Sequence, residues 1–198
     1  MKLHDIPLSG NAYKVRLFLS LIGQSAELVN VDLRNGVHKR PAFLAINPRG
    51  QVPALEDGDF GLGDSQAILV YLARRYAEPS WYPLDAEPQG RIAHWLSFAA
   101  NEIQHGPAQA RVIQLFKRPG DLGAAQAKAR QALELLDGEL SRHPWLARTA
   151  GPSIADIAVY PYVALAPEGG LDTTAYPHVQ AWQERIRALP GYLPLPML

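Results

Sequence analysis

A chain of 198 residues is long enough for one large domain or two modest ones. At that size roughly 70% of the unfolded surface can be buried without a metal or disulfide staple. The 19 Lys and Arg balance 19 Asp and Glu, so no basic face is expected, and neither nucleic acid nor an anionic membrane is an expected partner. The absence of cysteine removes disulfides, thiolate metal sites and any protein-thiol nucleophile, and fits a cytoplasmic location. The opening MKLHDIPLSG has no long apolar run, so no secretory signal is expected, and Leu17–Ile22 is far too short to span a bilayer.

Met1–Asp5 is the first candidate strand. Asn11–Ile22 carries Val15, Phe18, Leu19 and Ile22 at helical spacing, and Gly23 stops it. Glu27–Asp32 alternates and predicts a second strand, parallel to the first. His38–Ala45 predicts a short helix. Pro53–Glu56 and Phe60–Leu62 flank an Asp57–Gly58 turn and predict a hairpin. A helix follows from Asp64, with Ile68, Leu69, Leu72 and Tyr76 on its core face.

Composition shifts over Ala77–Pro88, where three prolines interrupt regular structure, and a domain linker is placed there. The rest is helical. One long helix is expected from Gln89 to about Phe116, with Ile92, Trp95, Leu96, Ala99 and Ile103 inward. Others are expected over Leu122–Arg142, Ser153–Leu165 and Ala175–Leu189, with a proline-rich tail wrapping the surface from Pro190. His94 and His105 would lie about 16 Å apart along one helix, so no metal site is expected.

Three features carry candidate chemistry. The residue before a proline is pushed toward extended backbone, and X–Pro is the common site of a cis bond. Pro53 is therefore either an ordinary edge proline, or a cis proline that turns the main chain of Val52 toward an extended peptide ligand. Asp64–Ser65 is either a helix cap or the anchor for a zwitterionic amino-acid end, the helix N-terminus taking the carboxylate and Asp64 the ammonium. Ser9, before the first helix, is either an N-cap or a donor to a bound thiolate. Lowering a thiol pKa from about 8.5 by about two units needs about 2.7 kcal/mol, the scale of one charge-assisted hydrogen bond plus a helix field.

These features, in this order, resemble the glutathione transferase family. KRPAFLAINPRGQVPALEDGDFGLGDSQAILVYLARRY is close to the family's most recognisable segment, and SGNAYKVRLFLSLIG resembles its serine-type bacterial and theta-like branches. GPSIADIAVYPY matches the helical domain's folding signature, with Ser153 and Asp156 as a capping box and Pro152 and Ile157 placed as a staple, a structural motif.

The resemblance implies an α/β thioredoxin-like glutathione-binding domain (β-α-β-α-β-β-α) over residues 1–78, then an all-α domain over 87–198 bearing the electrophile pocket and dimer contacts. It implies that Pro53 is cis, that Val52 pairs with the cysteinyl backbone of glutathione, and that Asp64 and Ser65 hold its γ-glutamyl end. Ser9 would stabilise the thiolate; in bacterial relatives with SGN here Asn11 shares or replaces that role, and both stand as catalytic candidates. His38 falls where relatives bind the glycyl carboxylate, with Gln51 and Lys39 as neighbouring candidates. Leu8, Tyr13, Asn101, Gln104, His105 and Phe116 are candidates for the second-substrate pocket.

The implied protein is a cytoplasmic homodimer that conjugates glutathione to small apolar electrophiles. Peroxide or disulfide reduction by bound thiols, and a non-catalytic binding protein on the same fold, are the alternatives. The missing cysteine argues against the family's cysteine-dependent branches.

Overall fold

In the computed structural model, which describes residues 1–195, Lys2–Asp5 forms β1, Gly10–Leu21 forms α1 and Glu27–Asn30 forms β2. β1 and β2 are parallel, with Leu3 opposite Leu28 and Asp5 opposite Asn30. α1 buries Val15, Leu17, Phe18 and Leu19, and ends where Gly23 takes a φ of 66°. The expected His38–Ala45 helix is instead a single 3₁₀ turn, Val37–Lys39, followed by α2, Pro41–Ile46. The break falls at Arg40, which is extended (φ −78°, ψ 150°) because it precedes Pro41; the proline then serves as the first residue of α2.

β3 (Ala54–Asp57) and β4 (Phe60–Gly63) form the predicted antiparallel hairpin. Asp57 pairs with Phe60, so the turn is centred on Gly58 and Asp59, one residue later than the Asp57–Gly58 expectation. The Asp57 carboxylate accepts hydrogen bonds from the hydroxyls of Tyr71 (2.8 Å) and Tyr76 on α3, Ser65–Tyr76, which holds Asp57 in the strand. Those bonds keep the Asp57 carboxyl below its ordinary range. Burial, with Asp57 as acceptor, pushes the Tyr71 phenol up to about 12. β3 also runs antiparallel to β1, giving a four-stranded mixed sheet in the order β2-β1-β3-β4. Behind it α3 buries Ile68, Leu69 and Leu72 and packs on α1.

The chain divides into two compact units: Met1–Glu78 joined by the tail from Pro190, and Pro79–Leu189. In the first unit Ser20 Oγ donates to the Gly191 carbonyl (2.6 Å), and the Tyr13 hydroxyl donates to the Leu193 carbonyl. The last three positions of the expected tail lie outside the described residues.

The second unit is helical. The predicted long helix runs as α4 (Ala86–Phe98), a π-helical stretch (Ala99–Ala108) and α5 (Gln109–Phe116). Two residues account for the widened segment. The Pro107 ring crowds the carbonyl four residues back, which opens the α-turn there, and Gly106 lets α6 (Leu122–Leu140) approach so closely that a Cβ there would meet the Ala129 nitrogen at 2.9 Å. A regular helical wheel therefore does not carry from His94 to His105. Ile92, Trp95, Ile103, Leu133 and Leu136 are buried, while Leu96 is half-buried at the edge.

α7 (Ile154–Ala164) is buried on all sides and begins with the predicted capping box. Asp156 is the hub of this unit. Its carboxylate accepts from the Leu146 amide (3.0 Å), the Ser153 amide (2.9 Å) and the Trp182 indole (3.0 Å) of α8, Pro177–Arg187. Complete burial pushes its pKa up against those bonds, and its place in this network gives it a structural role.

Candidate active site

Ser9 is the N-cap of α1. Its Oγ accepts from the Ala12 amide at 3.2 Å, and its main-chain amide donates to the Ile6 carbonyl at 2.9 Å. A hydroxyl that accepts one bond keeps its own hydrogen to donate, so the cap and the thiolate role do not compete. The side chain is half-buried at the end of the β1–α1 loop, at the positive end of the α1 dipole.

The segment from Asn47 to Ser65 is built around buried Asn47. Its Nδ2 donates to the Gln51 carbonyl (2.7 Å), and its Oδ1 accepts from the Arg49 amide (3.1 Å). Gly63 passes directly over it: a Cβ there would lie 2.4 Å from Asn47 Cγ. The Val52–Pro53 peptide is cis. Val52 is half-buried and stands just outside the ladder, which begins at Ala54, while Gln51 is exposed.

Asp64 has φ 76° and ψ 122°, a conformation uncommon for a residue with a Cβ and of the kind that gathers at functional sites. Its Oδ1 accepts from the Gln66 and Ala67 amides at 2.9 and 3.2 Å, capping α3. Its Oδ2 faces the Arg49 guanidinium at 3.2 Å. Ser65 is buried, and its Oγ lies 2.7 Å from Gln66 Oε1 and 3.5 Å from Asn11 Oδ1. That last approach brings the two halves of the predicted site together, since Asn11 lies in the first turn of α1.

His38 is half-buried, and no hydrogen-bond partner for its Nδ1 is found among the described residues. Lys39 Nζ lies 3.3 and 3.4 Å from the Gly50 and Arg49 carbonyls. Gly50 has φ 58°, and a Cβ there would meet the His38 carbonyl and Lys39 Nζ at 2.8 Å, so the 3₁₀ turn lies directly against the loop that leads to Gln51.

Two residues at the site escaped the sequence reading. The sequence reading gave Asn47 no role. Lys14 sits on the buried face of α1 with no exposed surface. Burial lowers its pKa to about 7, against the opposing pull of the Asp64 carboxylate. Its spacing from Leu17 and Phe18, at i+3 and i+4, was the available signal.

Of the second-substrate candidates, Leu8 is half-buried at the Ser9 loop. Tyr13 is 1% exposed, with its hydroxyl given to Leu193, and is a packing residue of α1 rather than part of an open wall. In the helical unit Asn101, Gln104 and His105 fall in the π-helical stretch, Asn101 and His105 exposed and Gln104 half-buried. Phe116 ends α5, 40% exposed.

Comparison with known proteins bears on this geometry. Residues 3–80 match the glutathione S-transferase N-terminal domain and residues 112–190 the C-terminal domain. The chain is 37% identical to glutathione S-transferase 3 of Zea mays, over 99% of this chain and 96% of that protein. It superposes on the crystal structure of a glutathione S-transferase from Pseudomonas fluorescens with a TM-score of 0.91 and 35% identity, covering 98% of both chains. A structure of glutathione S-transferase-I bound with lactoylglutathione matches with a TM-score of 0.83 and 26% identity, over 96% of this chain and 95% of that one. The chain belongs to the glutathione S-transferase family and is a glutathione transferase.

Proposed function

We propose that this enzyme binds glutathione on its first unit and transfers the thiolate to small apolar electrophiles. The observation that carries the reading is the approach of Asn11 to Ser65, which joins the N-terminal ends of α1 and α3 in one site. The γ-glutamyl carboxylate meets the α3 N-terminus and the Ser65 hydroxyl, and its ammonium meets Asp64 Oδ2. The cysteinyl main chain pairs with Val52, and the glycyl carboxylate lies toward His38, Gln51 and Lys39. A lactoylglutathione bound to a structural relative supports a glutathione-type ligand here.

With its two ends held this way, the sulfur lies toward Ser9 and Asn11. Donation from the Ser9 hydroxyl, helped by the α1 dipole, favours the thiolate, and the thiol proton passes to solvent. The sulfur lone pair then forms an S–C bond to the electrophile, whose leaving group departs with the bonding electrons. The enzyme acts in the cytoplasm as a homodimer, with a role in detoxification.

Steady-state conjugation assays on Ser9→Ala, Asn11→Ala and the double variant test the mechanism, with ultraviolet titration of the bound thiol alongside. The double variant is expected to raise the thiol pKa by more than about one pH unit and to cut turnover at neutral pH about tenfold or more. Unchanged turnover and an unchanged thiol pKa in all three would refute it. Faster disulfide reduction than conjugation by the wild type would move the reaction to thiol-dependent reduction.

A further inference from the structure

The β1–α1 loop that carries Ser9 is gripped from below by one residue. Arg16 lies on α1 about two turns beyond Ser9. Its Nη1 donates to Asp5 Oδ2 at 2.9 Å, and its Nη2 donates to the Pro7 carbonyl at 2.8 Å. Asp5 is the last residue of β1, 3% exposed, and its own carbonyl accepts from the Val31 amide at 2.9 Å, next to β2. One planar guanidinium thus ties the end of the sheet, the middle of the loop and the body of the helix together. Ser9 enters the same unit through its amide bond to the Ile6 carbonyl and through its own carbonyl, which accepts from Tyr13 at 2.9 Å. The Arg16 guanidinium lies 5.8 Å from the Tyr13 ring centroid, which fixes its height on the helix.

This pair is a poor device for stability alone. Asp5 Oδ1 and Arg16 Nε are buried with no hydrogen-bond partner found among the described residues. A buried ion pair with unsatisfied atoms recovers little of its desolvation cost, and burial does push the Asp5 carboxyl upward despite the guanidinium beside it. What the arrangement does supply is geometry. A hydrogen bond to a thiolate weakens steeply with misalignment, and the loop has no other side-chain brace among the described residues that reaches both Asp5 and Pro7.

We propose that Arg16 is a positioning residue for thiolate formation, holding the Ile6–Ser9 loop so that the Ser9 hydroxyl is aimed at the glutathione sulfur. The proposal rests on the Ser9 role given above. A lysine could replace the charge but not the fork, because an ammonium is a point donor that cannot keep both the carboxylate and the carbonyl in one plane.

The test compares wild type, Arg16→Met, Arg16→Lys, Ser9→Ala and the Arg16→Met/Ser9→Ala double variant. The readouts are ultraviolet titration of the bound glutathione thiol and the KM for glutathione. Both single Arg16 variants are expected to raise the thiol pKa by about one pH unit, about a tenfold loss of thiolate at fixed pH, with KM within about twofold of wild type. In the Ser9→Ala background the Arg16 change is expected to add nothing further. If Arg16→Met does not fold, Arg16→Lys, which keeps the stem and the charge, carries the comparison.

A folded Arg16 variant with the wild-type thiol pKa, while Ser9→Ala raises it, would overturn the Arg16 role and leave the Ser9 reading standing. Full additivity in the double variant would overturn it too, since Arg16 would then act by another route. An unchanged thiol pKa in Ser9→Ala would sink the Ser9 reading and this proposal with it.

Discussion

Ser9 and Asp64 each cap a helix without spending all of their hydrogen-bonding capacity. Ser9 accepts the Ala12 amide and retains its hydrogen; Asp64 accepts two amides on Oδ1 and leaves Oδ2 toward Arg49. The plain and functional readings of both residues were therefore never exclusive, which is why sequence spacing alone could not choose between them. Lys14 is the opposite case, a residue whose burial is a cost. Its folded pKa of about 7 lies below the ordinary 10.5, so between these values the unfolded chain binds a proton that the folded chain does not. Stability should therefore rise with pH through that window, with the penalty fully present below about pH 7. Urea denaturation of Lys14→Met against wild type is expected to show the variant more stable by several kcal/mol at about pH 7, with the gap narrowing toward pH 10. A gap independent of pH would mean that Lys14 titrates normally in the folded chain.

At the scale of elements, α7 shows what a fully satisfied buried acid does. The Asp156 carboxylate serves four donors: the Leu146 amide, the Ser153 amide and hydroxyl, and the Trp182 indole of α8. Asp156→Ala should cost about 3 kcal/mol or more in denaturant unfolding, since each buried donor left unmet costs about 1–3 kcal/mol. The folded variant's turnover at low temperature should stay within about twofold of wild type; a stable variant with lost turnover would instead make Asp156 part of the chemistry. Elements with strong local signals were legible in the sequence: the apolar spacing of α1 and α3, the capping box, and the paired runs around Gly58.

The misses came from neighbours that sequence spacing does not reveal. The hairpin turn slipped by one residue because two tyrosines 14 and 19 positions away hold Asp57 in the strand. The long helix widened at Ala99 because Gly106 meets α6 and Pro107 breaks the bonding pattern. At the candidate site, the cis bond at Pro53 and the helix caps at Ser9 and Asp64 were readable. Asn47 was not, because its role depends on Gly63 passing over it. The burial of Tyr13 was not legible either, because the group that takes its hydroxyl is 180 residues away.

On the scale of the whole chain, the first unit is completed by the tail. The chain leaves it at Glu78 and rejoins it at Pro190, where Gly191 and Leu193 supply acceptors to Ser20 and Tyr13. A truncation after Leu189 removes both acceptors, one of them serving a buried hydroxyl. It is expected to cost about 1–3 kcal/mol, read as a lower denaturation midpoint, with glutathione protecting less than in the full chain. An unchanged midpoint would make the tail incidental.

The central claim is that glutathione is anchored at the N-terminus of α3 by the charge of Asp64. Calorimetric titration with glutathione of wild type and Asp64→Asn tests it most directly, because Asn keeps the helix cap and tolerates the positive φ while removing the charge. The account predicts one glutathione per chain in the wild type, with affinity weakened about tenfold in the variant, the worth of one charge-assisted bond. Equal affinity in the two proteins, or no binding to either, would contradict it.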